Sequence, residues 1–211
     1  FLLYYYTDVF GLSPAAVGTM FLVTKIVDTV TDPMMGIIGD RTETRWGKFR
    51  PYLLWMAIPY GLCGYLMFAN PELSDSGKLI YAYVTYTLMM LAYTAINVPY
   101  SALMGVISPS SIERTKVSSY RFFFAFLAMW GISTLVPTLK DQLGGGDEAT
   151  AFQILMGVFA IISVGMFWIC FATTKERVIS PKQPSDLRAD FRALLDNGPW
   201  LVLFVAAIFT L

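Results

Sequence analysis

Apolar residues along this chain gather in long runs separated by short polar breaks, a pattern that predicts helices rather than strands. The runs over residues 15–39, 51–70, 79–106, 117–139 and 152–173 each reach the roughly 20 residues of helix that cross a bilayer. A shorter run ends near Tyr6, before a turn through Asp8, Gly11 and Pro14, and another opens at Trp200. Neither is long enough to span, so the chain is expected to be a piece of a longer protein with its first helix truncated. The pattern predicts an all-α membrane protein in three parts. Residues 1–173 form an N-terminal transmembrane bundle, 174–197 a central cytoplasmic linker, and 198–211 the start of a C-terminal bundle. A short amphipathic helix is expected in the linker at 187–195. Secondary transporters are commonly built from such repeated bundles, with the substrate between them.

Composition narrows the function. The chain is 56% hydrophobic and 14% charged, where soluble domains carry about a quarter charged residues. With a formal net charge of zero, nothing points to nucleic acid. Histidine is absent, which removes the commonest metal ligand and the usual catalytic base. The two cysteines, Cys63 and Cys170, sit inside apolar runs without ligand spacing. No enzyme, cofactor or metal site is expected beyond a coupling cation. The basic residues Arg41, Arg45, Lys48, Arg50, Arg114, Lys116, Lys175, Arg177, Lys182, Arg188 and Arg192 fall in alternate connections, against Lys78 and Lys140 in the others. By the positive-inside rule the first set is cytoplasmic. A multi-pass plasma-membrane protein, monomeric in the bilayer, is expected.

Lys25, Asp28 and Asp32 lie three and four residues apart, on one helical face. Asp28 is roughly 21 Å along its helix from Pro14, close to mid-membrane. A charge there costs from about 2.5 kcal/mol upward and persists only when it faces a bundle interior or a wet cavity. A Lys25–Asp28 salt bridge would explain two of these charges and leave Asp32 over. Two carboxylates one turn apart suit Na⁺, Li⁺ or a proton, with Thr24, Thr29 and Thr31 as further oxygens. Pro33 withholds a helical hydrogen bond, which either frees the Thr29 carbonyl for a ligand or simply kinks the helix. Arg121, about one turn into its predicted helix, either snorkels to the surface or balances the carboxylates together with Lys25. Tyr93, Asn97, Tyr100 and Ser101 share a face, with Thr94 beside them. Such groups make a sugar site or ordinary polar packing between helices. Asp40, Arg41, Arg45 and Lys48 belong to a basic loop that either sets topology and touches headgroups or forms a gate whose ion pairs hold one conformation.

Five strings carry a family resemblance. They are Tyr4-Tyr-Tyr-Thr-Asp-Val-Phe-Gly-Leu-Ser13, Asp28-x-x-x-Asp32-Pro-x-Met-Gly36, Arg45-Trp-Gly-Lys-Phe-Arg-Pro51, Tyr93-Thr-x-x-Asn-Val-Pro-Tyr100 and Arg121-Phe-Phe. In this order they resemble the glycoside–pentoside–hexuronide:cation symporters of the major facilitator superfamily, the relatives of melibiose permease. The resemblance implies the N-terminal six-helix half of a twelve-helix fold working by alternating access in a bacterial inner membrane. It implies cation binding at Asp28, Asp32, Thr94 and Asn97, and sugar binding at Asp28, Asp32, Tyr93, Asn97, Ser101 and Arg121. Melibiose permease has aspartate at the position of Asn97 and tryptophan at that of Ser101. Those departures weaken Na⁺ coupling of that type and argue for a different glycoside. Other expectations on the same fold are a lysophospholipid or similar amphiphile as cargo, or a membrane sugar sensor that does not transport.

Overall fold

The computed structural model describes residues 1–143, 145–178, 196–199, 201–202 and 206. Phe1–Val178 form one compact unit and Ile179–Leu211 a second. In the second unit the Leu201 N–H donates to the Asn197 carbonyl at 3.0 Å. Most of the expected linker, with its amphipathic helix, and most of the expected C-terminal bundle lie outside the described residues.

The regular structure described in the first unit is helical, apart from an isolated bridge between Thr44 and Gly47. The turn α1 (Leu2–Tyr4) widens into a π-helical turn over Tyr5–Val9. The chain then reverses at Gly11, whose φ of +84° suits a residue without Cβ. Ser13 caps α2 (Pro14–Arg41), its hydroxyl accepting from the Ala16 N–H at 3.3 Å, with Pro14 in the first turn where no N–H is needed.

The helix expected over 51–70 is broken. It consists of α3 (Arg50–Trp55) and α4 (Ala57–Met67), hinged at Met56. Pro59 is the physical reason, because it has no N–H for the Trp55 carbonyl one turn earlier and its ring crowds that oxygen. The other three helices exceed their predicted lengths. They are α5 (Asp75–Val106), α6 (Ser111–Leu143) and α7 (Glu148–Thr173). Ser74 and Asp147 cap α5 and α7 through their side-chain oxygens. Helices α2, α5 and α6 run through Pro33, Pro99 and Pro137 without interruption. Three helices, over Asp75–Val106, Ser111–Lys140 and Glu148–Thr173, are long and apolar enough to cross a membrane. Helix α2 is comparably long at 28 residues but carries Lys25, Asp28 and Asp32 in its middle.

Helix α5 is the axis of the unit, packing against α2, α3 and α4, while α7 packs against α3, α4 and α6. Two apolar clusters hold the ends. One gathers Tyr5, Tyr6, Phe10, Met20, Phe68 and Phe152 among its members, with the Tyr5 hydroxyl donating to the Phe68 carbonyl at 2.8 Å. The other, at the basic end, gathers Phe49, Leu53, Ala57, Ile96, Leu103 and Val106. The middle of α2 lies between them in chain order. Helix α6 is almost bare; among its described side chains only Val136 is buried, while Phe122, Phe126 and Trp130 stand exposed.

Candidate functional site

The middle of α2 brings the predicted charges together as its spacing requires. Lys25 Nζ lies 3.7 Å from Asp28 Oδ2, the lysine largely exposed and the aspartate side chain 14% exposed. The other carboxylate oxygen, Asp28 Oδ1, is buried without a hydrogen-bond partner among the described residues, as is Thr31 Oγ1 one turn on. Thr24 Oγ1 is buried and donates to the Met20 carbonyl at 2.9 Å, so its lone pairs stay available. Thr29 is exposed and donates to the Lys25 carbonyl at 2.9 Å. Oxygen acceptors thus collect on one stretch of α2 with no donor assigned to them, although buried polar atoms are normally satisfied.

Helix α5 supplies the facing wall. The buried Thr94 hydroxyl donates to Asp32 Oδ1 at 2.7 Å, the direct link between the two helices at this depth. Tyr93 is exposed and Asn97, one turn further along, half-buried. From α6, Arg121 Nη2 donates to Ser101 Oγ at 3.4 Å, and its guanidinium carbon sits 4.7 Å from the centre of the Tyr100 ring. Because α6 begins at Ser111, Arg121 is about 15 Å from the helix start rather than one turn. Among the described residues it forms no ion pair with Asp28 or Asp32. The expected balance of two cations against two carboxylates is therefore divided in space: Lys25 serves Asp28, and Arg121 lies against α5.

At the basic end, Arg45 stacks on Trp46 at 4.3 Å, and Asp40 is exposed at the foot of α2 with Arg41 ending the helix. What fixes the loop is a residue that spacing did not single out. Glu176, three residues past α7, accepts the backbone N–H of Lys48 at 2.9 Å, Phe49 at 2.8 Å and Arg50 at 3.0 Å. Gly47, at φ +110°, makes room; a Cβ there would sit 2.4 Å from the Glu176 carboxyl carbon. The neighbouring Arg177 and Val178 N–H groups both donate to the Val106 carbonyl at the end of α5, at 2.8 and 3.0 Å. Arg50 completes the knot, donating to the Phe171 carbonyl at 2.6 Å. The one sequence sign of this arrangement was a glycine in a basic loop, which names no partner.

The family described as MFS/sugar transport protein matches residues 1–211. The chain belongs to this family. Among curated relatives, it is 46% identical over 203 residues to "Putative glycoside/cation symporter YagG" of Escherichia coli (strain K12), covering 96% of this chain and 44% of that protein. It is 40% identical over 211 residues to "Inner membrane symporter YicJ" of the same organism, covering all of this chain and 46% of that one. It is also 40% identical over 217 residues to "Isoprimeverose transporter" of Lactiplantibacillus pentosus, covering all of this chain and 45% of that one. The chain spans about half the length of the curated relatives it matches.

The MFS sugar-transport family confirms the glycoside–pentoside–hexuronide:cation symporter resemblance and the fold it implies, the N-terminal half of the major facilitator architecture. This is a multi-pass protein of the bacterial plasma membrane.

Proposed function

We propose that the full-length protein carries a glycoside and a monovalent cation together across the membrane by alternating access. The observation that carries this reading is the charge on the middle of α2. Lys25, Asp28 and Asp32 together stand one positive charge short of neutrality, with Asp28 Oδ1 buried and without a hydrogen-bond partner among the described residues. One monovalent cation removes that deficit, and uncompensated charge at this depth is costly. Asp28 and Asp32 are its ligands, with Thr31 and Thr94 close enough in sequence and contact to contribute. Na⁺, Li⁺ and H⁺ all satisfy the charge requirement. The sugar lies against Tyr93, Asn97, Ser101 and Arg121, which offer hydroxyl, amide and guanidinium groups beside aromatic faces. A rocking motion becomes favourable when the cation has neutralised the carboxylates and the sugar has bridged the helices. Relatives named as a glycoside/cation symporter and an isoprimeverose transporter support the cargo class.

The test is uptake of a labelled glycoside panel by vesicles containing the full-length protein, under an imposed Na⁺ or proton gradient. Accumulation under one gradient, abolished in Asp28→Asn and in Asp32→Asn, is the expected result. Accumulation that survives both substitutions removes the cation assignment. No accumulation of any glycoside under either gradient moves the reading to an amphiphilic cargo or a sensor.

A further inference from the structure

Helices α4 and α7 pack closely, and a groove of about 580 Å³ lies along their seam. The crossing depends on small residues. A Cβ on Gly61 would lie 2.9 Å from Val164 Cγ2, and Gly157 faces the Tyr65 ring at 3.5 Å. Such residues let membrane helices approach closely, and here they leave a furrow walled by Ile58, Leu62 and Ile161. Those three side chains are more than half exposed. The groove runs from Gly157 to Trp168, about 16 Å along α7.

Its two ends differ from its middle. Towards the basic end it finishes at Trp168, with Trp55 one turn from Ile58, and both indoles are exposed, at 43% and 48%. The Trp168 indole N–H donates to the Leu54 carbonyl at 3.4 Å, which ties the ring to α3. Lys175, exposed, follows two residues after the end of α7. Towards the opposite end, Tyr65 accepts from Gln153 Nε2 at 3.0 Å. Aromatic rings with one polar edge belong at the headgroup level of a bilayer, and lysine there attracts anionic lipid.

We propose that this groove is a phospholipid site, seating one acyl chain between α4 and α7 with the headgroup beside Trp55, Trp168 and Lys175. A largely apolar groove between α4 and the bilayer-length α7, ending at the Trp168 indole with exposed Trp55 and Lys175 nearby in the chain, matches an anionic phospholipid in shape and charge. The groove is formed by α4 and α7, whose main packing partners do not include α2, the helix that carries Asp28 and Asp32.

Gly165 provides the test. A Cβ there meets nothing within 4 Å and Gly165 lines the groove, so Gly165→Leu places a side chain in the groove with better helix propensity. Gly131 on α6 is equally open and lies away from the groove, so Gly131→Leu is the control. Native mass spectrometry of the full-length protein with added dioleoylphosphatidylglycerol is expected to show one tightly retained lipid. Gly165→Leu is expected to weaken its retention at least tenfold and Gly131→Leu to leave it unchanged, with both variants showing the parental helical circular dichroism. Equal retention in the parent and Gly165→Leu overturns the site, as does a parent that retains no lipid. A dimeric parent that Gly165→Leu converts to monomers overturns it in favour of a second copy of the chain as the occupant.

Discussion

The Thr94 hydroxyl donates to Asp32 Oδ1 at 2.7 Å, joining the acidic middle of α2 to the wall of α5. A hydrogen bond to a charged group contributes about 1.5–3 kcal/mol, and tenfold in affinity corresponds to about 1.4 kcal/mol. Thr94→Val is therefore expected to raise the dissociation constant for the coupling cation by tenfold or more, and Thr94→Ser to change it little. Calorimetric titration of the purified full-length protein decides this. Unchanged affinity in the valine variant would remove Thr94 from the site.

Lys25 competes with the cation for Asp28, its ammonium standing 3.7 Å from Oδ2. Because the lysine is largely exposed, the pair is worth at most about 1 kcal/mol. Lys25→Gln is expected to tighten cation binding by up to about fivefold and to lower the yield of folded protein, since Asp28 loses its neutralising partner. Weaker binding in that variant would show the ammonium to be a support for the carboxylate rather than a rival for it.

Arg121 rests on Tyr100 and Ser101, apart from the carboxylates. Arg121→Met is expected to weaken sugar binding by about tenfold or more while cation binding keeps its parental value. Arg121→Lys restores only part of the loss, because an ammonium lacks the planar face that stacks on tyrosine. Separate titrations with sugar and with cation make the comparison. Equal loss of both ligands would contradict the division of labour described here.

Glu176 and Gly47 act as one device. Gly47→Ala must push the carboxylate aside and strain a residue at φ +110°, so it should reproduce the effect of Glu176→Gln. Each is expected to lower the thermal midpoint and to speed amide exchange at Lys48, Phe49 and Arg50, with the double variant little worse than either single one. Additive losses would mean that the two residues work separately.

Asp147 caps α7 outside the membrane, and the Thr150 hydroxyl and the Ala149 N–H hold its carboxyl below the usual carboxylate range. A depressed pKa stabilises the fold above the ordinary carboxylate value, and that contribution is lost as pH falls through the depressed one. Asp147→Asn keeps a capping oxygen but cannot titrate. Its thermal midpoint near neutral pH is expected to fall below the parent's and to decline less in acid, so that the two converge at low pH. A parallel decline in both proteins would show that the cap does not titrate with folding.

The sequence announced the helices and the α2 triad because both are written in local spacing: runs of about 20 apolar residues, and charges three and four apart. Other features depend on contacts that local spacing does not contain. Apart from Pro51 in the first turn of α3, four prolines sit in apolar runs, yet only Pro59 breaks its helix, while Pro33, Pro99 and Pro137 are carried through. Local spacing does not say which outcome occurs. Arg121 looked shallow because the polar residues from Ser111 to Lys116 read as loop, whereas α6 already includes them. Glu176 was invisible for a simpler reason. Its partners are backbone N–H groups, which every residue but proline possesses.

The Glu176 clamp also imposes an order in time. The carboxylate stands 128 residues after the Lys48 amide that it accepts, so the start of α3 has no clamp until α7 and the residues just beyond it have been made. At roughly 5–20 residues per second of synthesis, the basic loop waits on the order of ten seconds with three backbone donors unclaimed. Closure of that contact makes the final stitch of this bundle coincide with the emergence of the segment that leads onward from it.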